Sequence, residues 1–253
     1  MVKQGEIDYL KNIGKAGINH AVNKPFSDSR CPFYLMEFGV MLTFLPKPPA
    51  RLLDLGYGTG WTSVFLAKMG YDVTGVDICE DMIAEARKKQ ESDGVKNLQF
   101  KVSDYEHMNF DNDFDCAMFF DSLHHSVNEE DAIYYVYRAL KLNGICITSE
   151  PGVGHEVAQA TVDAVKKYGV TERDMPPDKI IAAGKKAGFR KFNIYPHTDL
   201  IKLFYEQRSI FDGHIPFTMN WTKNNLLLMV LNILRIKYYR KYISTSGITV
   251  LIK

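Results

Sequence analysis

From residue 51 onward the hydrophobic pattern alternates between two periods. Short apolar runs at 52–55, 72–77, 97–102, 114–120 and 145–149 read as strands. Between them, 61–69, 80–90 and 129–140 carry helical spacing. The helix at 80–90 opens on Glu80 and Asp81 and closes on Arg87, Lys88 and Lys89, the charge order that a helix dipole favours. This largely alternating order of strands and helices predicts a doubly wound α/β fold, a parallel sheet with helices on both faces.

The flanks are patterned differently. Residues 33–45 form an apolar-rich helical segment that stops at Pro46, Pro48 and Pro49, a boundary between an N-terminal helical extension (1–50) and a core (51–196). Beyond Pro151, residues 155–168 and 178–187 read as helices and 189–195 as a sixth strand. Residues 247–253 carry a seventh strand pattern at 247–252, which completes the sheet. Between the sixth and seventh strands lies a helical, amphipathic insertion, 197–246. No internal repeat interrupts this order.

Composition narrows the class little. The 253 residues are 46% hydrophobic and 24% charged with a net charge of +1, as in an ordinary soluble globular protein. Such a charge gives no general attraction to nucleic acid. The four cysteines (Cys31, Cys79, Cys116, Cys146) form no Cys-x-x-Cys pair, and three sit in or beside apolar runs as small buried hydrophobes. A reducing compartment fits, the first eight residues lack a secretion-signal core, and the longest apolar run (226–234) is too short to span a bilayer. A cytoplasmic location is the expectation.

The chemistry is concentrated at the first strand-to-helix turn. Asp54 precedes Gly56, Gly58 and Gly60, and Trp61 opens the helix. A dinucleotide fingerprint would need Gly or Ala at position 61, and a P-loop would need Gly-Lys-Ser/Thr. A carboxylate beneath the turn repels pyrophosphate and suits a cationic ligand such as S-adenosylmethionine, with its sulfonium and amino group. Here the chain resembles the class I S-adenosylmethionine-dependent methyltransferases. The resemblance runs over roughly 50–150, through the glycine turn, Val76-Asp77, Ser103-Asp104, the segment 114–121 with Leu123-His-His125, and the turn at 140–144.

The resemblance implies a seven-stranded, mostly parallel sheet whose C-terminal strand is antiparallel, and a transferase that uses S-adenosylmethionine and releases S-adenosylhomocysteine. Asp77, 23 residues after Asp54, is placed to accept from both ribose hydroxyls. Asp104, after Ser103, is placed beside the adenine with Tyr105 over the ring, unless that pair is only a turn. Asp54 orients the methionine amino group, and the three glycines let the backbone approach closely. Tyr57, Ile78 and Asp121 complete the implied cofactor-contacting set.

The loop after the fourth strand lies at the carboxyl edge of the sheet, where ligands bind in this architecture. His124 or His125 is the leading candidate for a base, because imidazole titrates near neutrality; both equally suit a role in shaping the methyl pocket. Glu150, ending the fifth strand, is a third catalytic candidate or a turn-forming acid before Pro151. Asp121, His124, His125 and Glu150 have the donor types of a divalent-ion site. Adjacent histidines on one loop rarely converge, however, and no metal is expected.

The acceptor is expected to be a small molecule, a sugar or secondary-metabolite hydroxyl, with a protein or lipid-linked acceptor or a non-catalytic cofactor-binding module as alternatives. Asp121-Ser-Leu-His stands where a nucleic-acid amino-methyltransferase would carry Asn/Asp-Pro-Pro-Tyr, so nucleic acid is not expected. The insertion reads as a cap over the site or a homodimer contact. Its segment 222–241, apolar first and basic later, also matches a membrane-surface helix, a reading less favoured because buried and interfacial apolar faces look alike.

Overall fold

The computed structural model describes residues 3–198 and 245–253. Its strands are β1 (Arg51–Leu55), β2 (Asp72–Asp77), β3 (Leu98–Val102), β4 (Phe114–Phe120), β5 (Leu140–Ser149), β6 (Lys191–Tyr195) and β7 (Ile248–Ile252). They form one seven-stranded sheet in the order β3-β2-β1-β4-β5-β7-β6. β1 to β5 run parallel, and β7 lies antiparallel between β5 and β6. The chain thus forms the expected Rossmann-like sheet, with the reversed strand at its C-terminus.

The helices are α1 (Gln4–Ile7), α2 (Tyr9–Asn12), α3 (Gly14–Val22), α4 (Cys31–Leu42), α5 (Trp61–Lys68), α6 (Glu80–Ser92), α7 (Glu129–Ala139), α8 (Gln159–Tyr168) and α9 (Pro177–Ala187). Alternate residues of the central strands feed opposite layers. Leu53, Leu55, Ala117 and Phe119 face α7 and α9 with Ile133, Val136 and Ile180. Leu52, Cys116 and Met118 face the other layer, with Phe38 and Met41 of α4 and Leu66 of α5. Burial on both sides explains why these strands read as continuous apolar runs instead of alternating ones.

Two elements differ from the sequence reading. The helix expected at 155–168 starts only at Gln159. Gly154 takes a φ of +96°, and the Asp174 carboxylate accepts from the N–H groups of Gly154 and Glu156 at 2.8 and 2.9 Å, so the preceding residues form turns. The turn expected at 141–144 lies within β5 as an irregularity: Phe114 pairs with Leu140, but Cys116 pairs with Ile145. The insertion, apart from His197, Thr198, Thr245 and Ser246, lies outside the described residues, as do both expectations for 222–241.

The strand order reverses between β1 and β4. Ligands in such sheets bind beyond the carboxyl ends of strands at this switch point. The N-terminal region reaches it, with Glu6, Tyr9 and Tyr34 lining the cavity there. Glu37, on α4, is fully buried and accepts from Ser149 Oγ at 2.7 Å, from Thr198 N and Oγ1 at 2.9 Å each, and pairs with His197 Nδ1 at 2.6 Å. That carboxylate fastens α4 to the end of β5 and to the start of the insertion.

Candidate active site

At the end of β1 the chain turns through Gly56, Gly58 and Gly60, all at left-handed φ values of +69°, +57° and +83°. A side chain at Gly56 would place its Cβ 2.5 Å from Ser122 Cβ, so glycine is required for the turn to meet the loop after β4. Among the described residues nothing lies within 4 Å of a Cβ placed on Gly58, which lines an open cavity. The cavity, of about 510 Å³, is also lined by Asp77, Ile78, Tyr105 and Asp121. A neighbouring cavity of about 390 Å³ shares the glycine turn and is lined by Asp54, Tyr57 and Thr62.

The acids of this half are held by local donors. Asp54 Oδ2 accepts from Thr62 Oγ1 at 2.7 Å and Ser63 Oγ at 2.6 Å, both in the first turn of α5. Asp77 accepts from the Gly58 and Cys79 N–H groups at 2.9 Å each. Burial raises each carboxyl to about 6, against the hydrogen bonds that lower it. Tyr105 lies edge-on against Phe119 and donates to the Ser122 carbonyl at 2.8 Å; burial pushes its phenol well above the usual range.

Ser103 and Asp104 are not brought to this cavity. Asp104 contacts Lys3 at 3.5 Å and His107 at 3.0 Å, and accepts from the Glu106 N–H at 2.8 Å, so the carboxylate expected beside adenine closes a surface turn. Ser103 Oγ donates to the Asp104 carbonyl. Of the pair expected at adenine, Tyr105 alone lines the cavity, together with Ile78 of the wider cofactor-contacting set.

The opposite wall gathers the loop after β4. Leu123–His125 form a 3-10 turn whose N–H groups converge on Glu150: Ser122 N at 3.1 Å and Leu123 N at 2.9 Å on Oε1, His124 N at 3.2 Å on Oε2. His124 Nδ1 meets the same Oε2 at 2.8 Å, and its Nε2 lies 3.4 Å from Glu172 Oε2. Burial opposes a charge on His124, but Glu150, Asp121 and Glu172 together raise it to about 9. His125 Nδ1 lies 2.7 Å from the Thr171 carbonyl, which requires the proton on Nδ1 and leaves Nε2 as an acceptor. Burial and the neighbouring His124 hold His125 below the usual imidazole range.

The two imidazoles do not diverge as expected from their adjacency. Their ring centroids lie 4.0 Å apart. His155 joins them through Glu172, at 2.7 Å from its Oε2. Asp121 turns the corner with a φ of +56°, and His124, Lys24, His125 and Arg30 hold its carboxyl below the usual range despite desolvation. Sequence reasoning missed Glu172, Lys24, Arg30 and Glu37. Glu37 alone left a signal, as the one charged residue in the apolar helix α4. Glu172 sits in a polar stretch that reads as a turn.

The cavity also has a cationic and aromatic side. The Arg30 guanidinium lies 4.8 Å from the Phe33 ring and 5.2 Å from Tyr34, and Lys24 lies 5.6 Å from Tyr34. Among the described residues neither cation has an ion-pair partner. Burial raises the Tyr34 phenol to about 12.

The comparisons with known proteins agree with this geometry. Residues 52–144 match a family model described as a methyltransferase domain. Over those residues the chain is similar to methyltransferase domains. A putative methyltransferase of Geobacillus sp. (strain WCH70) is 37% identical over 101 residues, covering 38% of this chain and 40% of that protein. The putative methyltransferase YqeM of Bacillus subtilis (strain 168) is 36% identical over 102 residues, with the same coverage. These matches span about two fifths of the relatives' length. Phosphoethanolamine N-methyltransferase 2 of Haemonchus contortus, solved with S-adenosyl-L-methionine, matches in fold with a TM-score of 0.66 and 20% identity, over 97% of this chain and 59% of that one.

The cofactor of the methyltransferase domain is S-adenosylmethionine, and the residues present fit it. Among the described residues Gly58 leaves open space where a Cβ would stand, the Asp77 carboxylate borders the same cavity, and the buried Tyr57 hydroxyl has no hydrogen-bond partner. Among the described residues no helix is long and apolar enough to cross a membrane.

Proposed function

We propose that the protein methylates a hydroxyl of a small-molecule acceptor, with the acceptor seated between the glycine turn and the histidine loop. The observation that supports this most is that Gly58, Asp77, His124, His125 and Glu150 all line one cavity. When bound, S-adenosylmethionine supplies an electrophilic methyl group, and the protein's task is alignment and proton removal.

In this reading Asp77 accepts from the ribose hydroxyls, Ile78 and Tyr105 border the adenine, and Asp54 and the glycine turn hold the methionine end. Asp121 lies between the two halves. His124 has one nitrogen on Glu150 and the other facing Glu172, so it orients the loop. His125 Nε2 is the imidazole nitrogen with a free lone pair and takes the hydroxyl proton. Glu150 acts through both His124 and the loop backbone. Lys24 and Arg30 favour an acceptor that carries negative charge.

Transfer of a tritiated methyl group to a panel of hydroxyl acceptors tests the reaction. His125→Ala should lower turnover by about 10²–10⁴-fold while cofactor binding, read by calorimetry, is kept. Near-normal turnover in both His124→Ala and His125→Ala would end the histidine-base reading.

A further inference from the structure

We propose that His124, His125 and Glu172 form a binding site for one divalent transition-metal ion of the zinc class. One donor atom from each of the three lies within 4.8 Å of the others. His124 Nε2 and Glu172 Oε2 are 3.4 Å apart, which matches the edge of a tetrahedral site with metal bonds of about 2.1 Å. Two imidazoles and one carboxylate, with a remaining position open, are the donor set of catalytic zinc and of non-haem iron. The cavity they line provides both the entry path and the open position.

The groups behind the three donors carry the argument further. Ligating histidines present one nitrogen to the metal when the other donates to a carboxylate or carbonyl. His124 Nδ1 meets Glu150 at 2.8 Å, so Nε2 is the nitrogen facing Glu172. His125 Nδ1 meets the Thr171 carbonyl at 2.7 Å, so Nε2 is again the free one. Glu172 is held by His155 at 2.7 Å. Each donor therefore has its own outer partner, and Glu150 is in turn fixed by three backbone N–H groups. A pair of histidines that merely shaped a pocket would not need each ring held through its Nδ1 by a separate acceptor beside one carboxylate.

The site goes beyond the methyl-transfer reading but shares His125 with it. At any moment that lone pair either holds the ion or accepts a proton, and the ion entering at His124 Nε2 displaces the proton held there toward Glu172 and releases it to solvent.

The test uses the untagged full chain, stripped with chelator and titrated with ZnCl₂ by calorimetry, with elemental analysis after gel filtration. One zinc per chain is expected. Glu172→Gln and His125→Ala should each weaken binding at least tenfold, and His155→Ala by about 10- to 100-fold, while S-adenosylhomocysteine binding is retained. No zinc on the wild-type chain overturns the site, as does unchanged zinc affinity in Glu172→Gln and His125→Ala. If those variants fail to fold, Co²⁺ on the wild-type chain decides. Intense four- or five-coordinate d–d bands support the site, and a spectrum identical to aqueous Co²⁺ overturns it. Zinc binding is read without acceptor or turnover, so its failure is separable from failure of the methyl-transfer reading.

Discussion

The two walls of the cavity are built on different principles. The glycine wall is local: Asp54 is held by Thr62 and Ser63, and Asp77 by Gly58 and Cys79, all within one strand-turn-helix unit or its neighbour. The histidine wall is assembled from a distance. Glu150 reaches His124 across 26 positions, Thr171 reaches His125 across 46, and Glu37 reaches Thr198 across 161. The first wall uses backbone donors, glycine conformations and two hydroxyls from the adjoining helix turn, all close in sequence. The second depends on side chains that only the finished fold brings together, so it is where one protein of this architecture can differ from another.

The largest effect expected from this contrast is on stability. Glu150 is buried, accepts three backbone hydrogen bonds and neutralises His124. Glu150→Ala leaves the imidazole and three N–H groups without an acceptor. Removing one partner of a buried pair costs about 3–5 kcal/mol, and denaturant unfolding should show a loss of that size. A loss below about 1 kcal/mol, within the range of ordinary surface changes, would mean that water replaces Glu150 and the wall is not held as described.

On the glycine wall, Asp77→Ala should act on the cofactor instead. Two charge-assisted hydrogen bonds to ribose hydroxyls are worth about 1.5–3 kcal/mol each before reorganisation, so affinity for S-adenosylhomocysteine should fall by about two orders of magnitude. Undiminished affinity in a titration would remove Asp77 from the ribose role. The paired outcome sharpens the contrast: Glu150→Ala should alter folding more than cofactor affinity, and Asp77→Ala the reverse.

The contrast also explains what was legible in the sequence. The parallel sheet and the glycine turn follow from period, spacing and residue type over 51–150, whereas the reversal of the last strand was implied only by the family resemblance. Asp54 and Asp77 were legible for the same reason, since register places them at strand ends. Glu172 was not, because the turn at 153–158 that brings His155 to it depends on Asp174 capturing two N–H groups, a contact between segments. Adjacency suggested that His124 and His125 diverge. The 3-10 turn, pinned by Glu150, brings their rings together.

A smaller effect follows from the raised carboxyls. Asp77 titrates at about 6 in the folded chain, above its ordinary value, because burial outweighs its backbone hydrogen bonds. A carboxylate is the form that accepts from ribose, so cofactor affinity should be flat above pH 7 and fall below 6 by up to about tenfold per pH unit, ~1.4 kcal/mol. The stability term has the opposite sign. A folded value above the unfolded one means that the native state binds the proton more readily, so Asp54 and Asp77 add stability as pH falls from 7 toward 4 and lose it as pH rises through 6. Calorimetry and unfolding midpoints over pH 5–8 read the two separately. An Asp77→Ala protein whose remaining affinity kept the same fall below pH 6 would assign that fall to another group.

The smallest change is expected at Asp104, and it separates register from geometry. By sequence position Asp104 and Asp77 look alike, each an acid just beyond or at the end of a parallel strand. In the structure Asp104 contacts Lys3, His107 and the Glu106 N–H, and it does not border the cavity. Lys3 and His107 hold its carboxyl below the usual range, which is what a surface ion pair does, although desolvation acts the other way. Asp104→Ala should therefore change S-adenosylhomocysteine affinity by less than about 0.5 kcal/mol and stability by at most ~1 kcal/mol, the scale of an exposed ion pair. A loss of affinity approaching that of Asp77→Ala would show that Asp104 leaves Lys3 when adenine binds. The glycine wall would then share the dependence on side-chain rearrangement that otherwise distinguishes the histidine wall.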